Sequence, residues 1–368
     1  MKITRVETLH LRLPEVEEIA DGTQDAFVVR LHTDAGLVGV GEASSQSYVC
    51  KAIFEAPRSA VRRHGLAQLL LGQDPLDEGL WMYLYNNTTR YGRRGVVLHA
   101  ISAADLALWD LRGKALGKPV HELLGGAKRT TVRAYASYLF GPRPAATADL
   151  AREAVDLGLT AAKFGWGPFG EDLKADVAHV EAARFVLGER DLMVDAGLAF
   201  TVDAALERAE ALAPLGIGWL EEPLSQDDLK GYTELCAQSP VPIAAGEIET
   251  TLWGYEQLIE CGLAVLQPDV AICGGLTVAA GVSRLAAAYS RRVVPHCFST
   301  GINLAASLHW MAAQEDGDLI EYCLRPSPLL RKLVRNLPPL VDGRVPVPME
   351  PGLGVELDEG IIEQYRVA

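Results

Sequence analysis

The sequence predicts an α/β fold: a (β/α)8 barrel of the TIM type, preceded by an α+β capping domain and followed by a tail that returns to the cap. Three observations predict it. Eight short apolar runs recur from residue 132 onward, with segments of helical character between them. The stretch ahead of them alternates apolar and polar residues, as half-buried strands do. The length, 368 residues, exceeds the roughly 200–250 residues of a barrel alone.

Residues 1–127 are assigned to the cap. "ITRVETLHLRL" and "AFVVRLHTDAGLVGVGEA" read as strands, with "TDAG" as a hairpin turn. Between them "PEVEEIADGTQD" is polar and irregular, a loop. "VVLHAISAADLALWDLRGKAL" repeats apolar residues every three or four positions, a helix, and "LLGGAKR" closes the unit with glycines.

Residues 128–325 are assigned to the barrel. Its runs are "VRAYASY", "TAAKFGW", "DLMVDAG", "IGWLEEP", "VPIAAGE", "AVLQPDV", "RVVPHC" and "LIEYC". Amphipathic segments such as "TADLAREAVDLG" and "TVDAALERAEALAPLG" separate them, the rhythm of parallel βα units. Residues 326–368 are rich in Pro and Gly and leave that rhythm; they are expected to pack back on the cap.

Composition removes several functions. Apolar residues make up 49% and charged residues 22%, the balance of a globular protein with a sizeable core. No apolar stretch reaches the roughly 18 residues of a membrane span, and "MKITRVETLHLRLP" lacks the apolar centre of a signal peptide, so a cytoplasmic location is expected. Six cysteines at irregular spacings form no zinc pattern and are read as small core side chains. A net charge of −14 without a basic run disfavours nucleic acid and anionic membrane as partners. Such a chain can bind an anion only through a local cation.

In βα barrels the chemistry gathers at the C-terminal ends of the strands. The residues there are Lys163, Asp195, Glu221, Glu247, Asp269, His296 and Glu321. Asp195, Glu221 and Glu247 are each 26 residues apart, about one βα unit, which predicts three carboxylates on consecutive strands at equal height. Successive strand residues face opposite ways, so Glu221 and Glu222 cannot both point inward. Carboxylates this close need a neutralising cation. Ligands that are all oxygen, with no Cys or His, select Mg²⁺. Lys163 and His296, on the second and seventh strands, face each other over that site, and Asp269 is placed to fix the His296 tautomer. Two bases flanking a metal suit proton transfer.

These residues resemble the enolase superfamily, in its mandelate racemase / muconate lactonizing enzyme family and the mandelate racemase subgroup. The likeness spans nearly the whole chain, through "ISAADLALWDLRGKALGKPVHELLGG", "MVDAG", "WLEEP", "AAGE", Asp269 with His296, and Glu321. It implies the modified, enolase-like barrel. It also implies Glu221 as the inward ligand, with Glu222 in a supporting role, and Glu321 as a protonated acid donating a hydrogen bond. The muconate-lactonizing branch carries a lysine on strand 6, and "LQPDV" has none. One departure is "AAKFG": where the family often has two lysines, Ala161 holds the first position and Lys163 the second.

The resemblance implies Mg²⁺-dependent removal of the proton α to a substrate carboxylate, through an enediolate. Dehydration of a sugar acid is the favoured outcome. Racemisation or epimerisation of an α-substituted carboxylate or a hydroxylated amino acid is the alternative, and a catalytically idle barrel that binds a Mg²⁺–carboxylate complex is a third reading. In such proteins the loop over about residues 14–25 closes the site. Here it carries Glu15, Glu17, Glu18, Asp21 and Asp25, which suit sugar hydroxyls or an ammonium and repel a diacid. Asp21 and Trp166 are the expected substrate contacts, with Phe169 a second wall. The family also implies a homo-oligomer, a dimer or an octamer.

Overall fold

The computed structural model describes residues 1–198 and 200–367. The cap opens with an antiparallel sheet of β1 (Ile3–Arg12), β2 (Asp25–Thr33) and β3 (Val38–Ala43), in that order. Helix Val96–Leu116 lies directly on it. A Cβ at Gly39 would stand 2.2 Å from the Ala107 carbonyl oxygen, and one at Gly41 2.1 Å from that of Ala103. Glycine at both positions therefore lets strand and helix backbones touch. That contact leaves Glu42, the next residue, buried against the barrel.

The barrel follows as the eight runs predict. Its parallel strands are β4 (Thr131–Leu139), β5 (Ala161–Gly165), β6 (Asp191–Asp195), β7 (Leu220–Glu221), β8 (Ile243–Ala245), β9 (Val265–Leu266), β10 (Arg292–Val293) and β11 (Leu319–Cys323). Hydrogen-bonded order runs from β10 down to β4 and on to β11. At the seam between β10 and β11, Arg292 pairs with Asp318 at 3.1 Å, and the Cys297 N–H donates to Glu321 Oε2 at 2.7 Å.

Side chains fill the barrel in layers, because alternate strand residues face inward. Tyr135, Ala161, Met193, Trp219, Ala244 and Leu319 belong to an apolar plug at the lower level. Two residues further along the same strands stand Ser137, Lys163, Asp195, Glu221 and Glu321. The polar site thus rests on a dry floor.

The tail does more than return to the cap. β12 (Arg344–Pro346) pairs antiparallel with Thr131–Arg133 of β4. β5 pairs with β4 only from Ala136 onward, so the lower edge of β4 would otherwise leave backbone groups unsatisfied. The tail also holds the cap, where Ser327 donates to the Thr23 carbonyl at 2.6 Å, Arg366 bridges to Leu11 and Glu359 pairs with Arg30. No helix among the described residues is long and apolar enough to cross a membrane.

Candidate active site

Asp195 and Glu221 end neighbouring strands in direct register. Glu247 reaches the same place differently. The register partner of Glu221 on β8 is Ala244, so Glu247 lies beyond the strand end, and equal height does not follow from the 26-residue spacing. Gly246, at φ +122°, turns the chain there in a conformation other residues rarely adopt. One carboxylate oxygen from each of Asp195, Glu221 and Glu247 then lies within 4.8 Å of the others.

Glu221 is the inward member of its pair, fully buried. Lys163 donates to its Oε1, and Trp219 Nε1 and Gln267 Nε2 donate to Oε2 at 2.8 and 2.6 Å. Glu222 is buried too, on the other side, where it accepts from Gln226 Nε2 at 2.6 Å. Burial, with the nearby charges of Glu247, Asp195 and Glu221, holds its pKa well above the carboxylate range.

The triad is short of positive charge. Burial pushes Asp195 up to about 6 against the pull of Lys163, and Glu221 and Glu247 are raised by burial and by their neighbours. The donor set is oxygen only, and the three residues fit a hard divalent cation. Lys163 now supplies the counter-charge. Its Nζ lies 3.5 Å from Asp195 Oδ2 and 3.2 Å from Glu321 Oε1, besides its bond to Glu221. Burial works against the ammonium, but Glu221, Glu321 and Asp195 outweigh it and hold its pKa well above the usual value. Beneath it, the Tyr135 ring centroid lies 5.9 Å from Nζ, in the floor layer that Ala161 shares.

Across the cavity, His296 Nδ1 bonds Asp269 Oδ2 at 2.7 Å, and Nε2 points toward Glu247 and Glu321 at 3.6 and 4.0 Å. Burial opposes its charge, yet Glu247, Glu321 and Asp269 keep its pKa well above the ordinary histidine value. Glu321 differs from the expectation. One oxygen accepts from Ser137 Oγ at 2.6 Å and is ion-paired with Lys163 at 3.2 Å, and the other accepts from the Cys297 N–H. Burial favours the neutral acid, but Lys163, His296 and these donors pull its pKa down to about 2. With the Lys163 ammonium beside it, Glu321 is drawn toward the charged acceptor rather than the protonated donor.

Ser137, Lys163, Asp195, Glu247, His296 and Glu321 floor a cavity of about 680 Å³ roofed by the cap loop. Trp166, at φ +54° and 38% exposed, forms a wall as expected. Phe169 does not; it is buried in a stack with Phe140 at 5.1 Å and lies edge-on to Phe200 at 5.9 Å. Phe298, Ile19 and Leu139 are further apolar walls. Asp21 lines the roof, but its carboxylate accepts from the Thr23 N–H and hydroxyl at 2.9 and 2.7 Å and from Arg325 Nε at 2.8 Å. It holds the roof down rather than offering a free oxygen. Gly22 lets that roof touch the barrel: a Cβ there would stand 2.6 Å from the Phe298 carbonyl oxygen.

Sequence reasoning missed Ser137, Trp219, Gln267, Asn303 and Glu42. The first three had a signal, since Trp219 and Gln267 sit two residues before Glu221 and Asp269, on the same strand faces, and Ser137 sits two after Tyr135. Asn303 and Glu42 had none.

Comparison with known proteins places this geometry. Residues 4–125 match the family described as mandelate racemase / muconate lactonizing enzyme, N-terminal domain, and residues 146–361 match the enolase C-terminal domain-like family. A D-galactarolactone cycloisomerase of Agrobacterium fabrum is 33% identical over 387 aligned residues, covering 100% of this chain and 99% of that protein. An arabinonate dehydratase of Saccharolobus solfataricus is 33% identical, with 95% and 93% covered. The crystal structure of a 3,6-anhydro-D-galactonate cycloisomerase from Zobellia galactanivorans superposes with a TM-score of 0.90 at 29% identity, covering all of both chains. With cap and barrel both matched over their length, the chain belongs to the mandelate racemase / muconate lactonizing enzyme family and is an enzyme of the enolase superfamily.

Proposed function

We propose that the protein removes the proton α to the carboxylate of a sugar acid and expels the β-oxygen, a dehydration when that oxygen is a hydroxyl. The observation that carries this reading is that Lys163 and His296, from opposite sides of the barrel, line one cavity with Asp195 and Glu247 of the carboxylate triad. Mg²⁺ held by Asp195, Glu221 and Glu247 would supply the charge that neutralises the substrate carboxylate, and would replace the Lys163 ammonium as their counter-charge. Lys163, freed from that role, would release its proton to solvent and, as the neutral amine, take the α-proton at Nζ. His296 is oriented by Asp269 through Nδ1, and as the imidazolium it would protonate the departing oxygen from Nε2. Ser137 and the Cys297 N–H keep Glu321 charged beside Lys163. The roof and Trp166 keep water from the carbanion.

A second reading has specific support in the two relatives named cycloisomerases. When the β-oxygen belongs to a ring, the same elimination opens the ring and loses no atom, so the product is an isomer. Both readings share the first step.

The far end of the substrate is proposed to be uncharged. Among the described residues lining the cavity, Lys163 is the one lysine or arginine, while Glu18 and Asp21 both sit in the roof. Arg325 is committed to Asp21 and Glu17. A second carboxylate would meet no cation there.

Proton NMR in D₂O with Mg²⁺, on a panel of aldonates with their lactone and anhydro forms, tests the proposal. Loss of the α-proton with release of water supports dehydration, and loss with ring opening alone supports isomerisation. Return of a deuteron at the α-carbon with inverted configuration would make the enzyme an epimerase. No exchange with any sugar acid, despite Mg²⁺ binding, would overturn the proposal.

A further inference from the structure

We infer that Glu42 of the cap and Asn303 of the barrel are positioning residues for the Asp269–His296 pair, so that the capping domain sets the direction of the His296 ring. The functional weight of this inference rests on the proposed use of His296.

Glu42 is fully buried, yet its partners are not cations. Oε1 accepts from Ser299 Oγ at 2.9 Å, from the Asn303 N–H at 3.0 Å and from the Thr300 N–H at 3.4 Å, and Oε2 accepts from the Thr300 hydroxyl. These donors come from the first turn of helix Gly301–Ala313, its cap Thr300 and the residue before the cap. A carboxylate there satisfies N–H groups that no helical carbonyl can reach and lies at the positive end of the helix dipole. It thereby pins the start of the helix to β3.

The same turn carries Asn303. Its Nδ2 donates to Asp269 Oδ1 at 2.9 Å and to Ser299 Oγ at 3.0 Å, and its Oδ1 accepts from Ser307 Oγ at 3.1 Å. Asp269 uses Oδ2 for His296 Nδ1 and receives the Ala271 N–H at 2.6 Å on Oδ1. Asn303 thus locks the carboxylate plane that aims the ring. Residues 296–303 run without a break from the base to this turn, so the segment is clamped at both ends, by Asp269 at His296 and by Glu42 at the helix start. The cap adds a third hold, because the Ser44 N–H donates to the Ala271 carbonyl at 3.2 Å. A passive domain contact needs none of this connection to the dyad.

The test uses Asn303→Ala and Glu42→Gln in the full chain with Mg²⁺. One readout is steady-state kinetics on whichever sugar acid the wild type accepts. The other needs no turnover: the proton resonance of His296 Nδ1–H in ¹⁵N-histidine-labelled protein, assigned by its absence in His296→Asn. We expect kcat to fall at least tenfold with KM within threefold of wild type, and the resonance to weaken or move upfield in both variants. An unchanged resonance in folded Asn303→Ala overturns the inference, even should Glu42→Gln fail to fold. A changed resonance in a protein that turns over no sugar acid would sustain the positioning role and count against the proposed reaction alone. A rise in KM with kcat unchanged would reduce Glu42 and Asn303 to domain contacts and also overturn it.

Discussion

Lys163 Nζ lies 3.2 Å from Glu321 Oε1, two strands around the barrel, and this pairing keeps Glu321 charged while the carboxylates of the triad are pushed toward neutrality. One ammonium is shared among Asp195, Glu221 and Glu321, so it cannot satisfy all of them. A divalent cation at the triad would therefore stand in for Lys163 electrostatically.

That substitution predicts how Lys163→Met behaves. Removing one partner of a buried ion pair costs about 3–5 kcal/mol, because the remaining charges are left uncompensated. The loss should appear in full when the protein is unfolded by urea in EDTA, and should shrink by more than half in Mg²⁺. Equal losses in both conditions would show that the cation does not take over the role of Lys163.

The division of labour proposed for Lys163 and His296 makes a second prediction. His296→Asn should lower elimination by about 10²–10⁴-fold, the usual worth of a general acid, while leaving exchange of the α-proton with solvent. Lys163→Ala should abolish both. Exchange lost only in His296→Asn would reverse the roles.

Much of this site was legible from strand ends alone, and the reason is geometric. Asp195, Glu221 and Lys163 terminate apolar runs, and in a closed barrel the alternation of faces carries such residues inward without further information. Glu247 was found on the wrong argument: its height depends on the left-handed turn at Gly246, which a spacing cannot express. The charge of Glu321 depends on Lys163, His296 and Ser137 together, none of them its sequence neighbours. Glu42 and Asn303 lie 261 residues apart, and only the docking of cap on barrel joins them. The long-range polar partners of a site leave no periodic trace, whereas strand-borne groups do.

The roof gives a third prediction. Arg325 holds Asp21 at 2.8 Å, and Arg325 is 36% exposed, so solvent screening limits this pair to about 1 kcal/mol. Arg325→Ala should loosen the roof and raise KM about fivefold with kcat less affected. A fall in kcat with KM unchanged would instead tie Arg325 to the chemical step.

Selectivity follows from the same roof. Aldonates should be turned over at least tenfold better than aldarates of matched configuration, measured as kcat/KM. Ile19→Arg places a cation in the roof without touching the groups on the barrel floor, and should narrow that ratio. A wild-type preference for the diacid would mean that Arg325 leaves Asp21 to bind it.

The last prediction concerns stability and pH. Burial pushes Glu42 up to about 7 from an ordinary carboxyl value of 4.5, against the hydrogen bonds from Thr300 and Ser299. The folded state then binds a proton that the unfolded chain has released throughout that window. Its contribution to stability is therefore greatest below pH 4.5 and is lost as pH rises toward 7, by about 3 kcal/mol. Glu42→Gln cannot titrate, so its urea midpoint should depend less steeply on pH between 5 and 7 than that of the wild type. His99 runs the opposite way, held down to about 4 by burial, and both proteins share that trend. The difference between the two curves isolates Glu42. Parallel curves would mean that the helix start keeps Glu42 ionised throughout, and that the cap is clamped to the barrel at full charge at every pH where the enzyme folds.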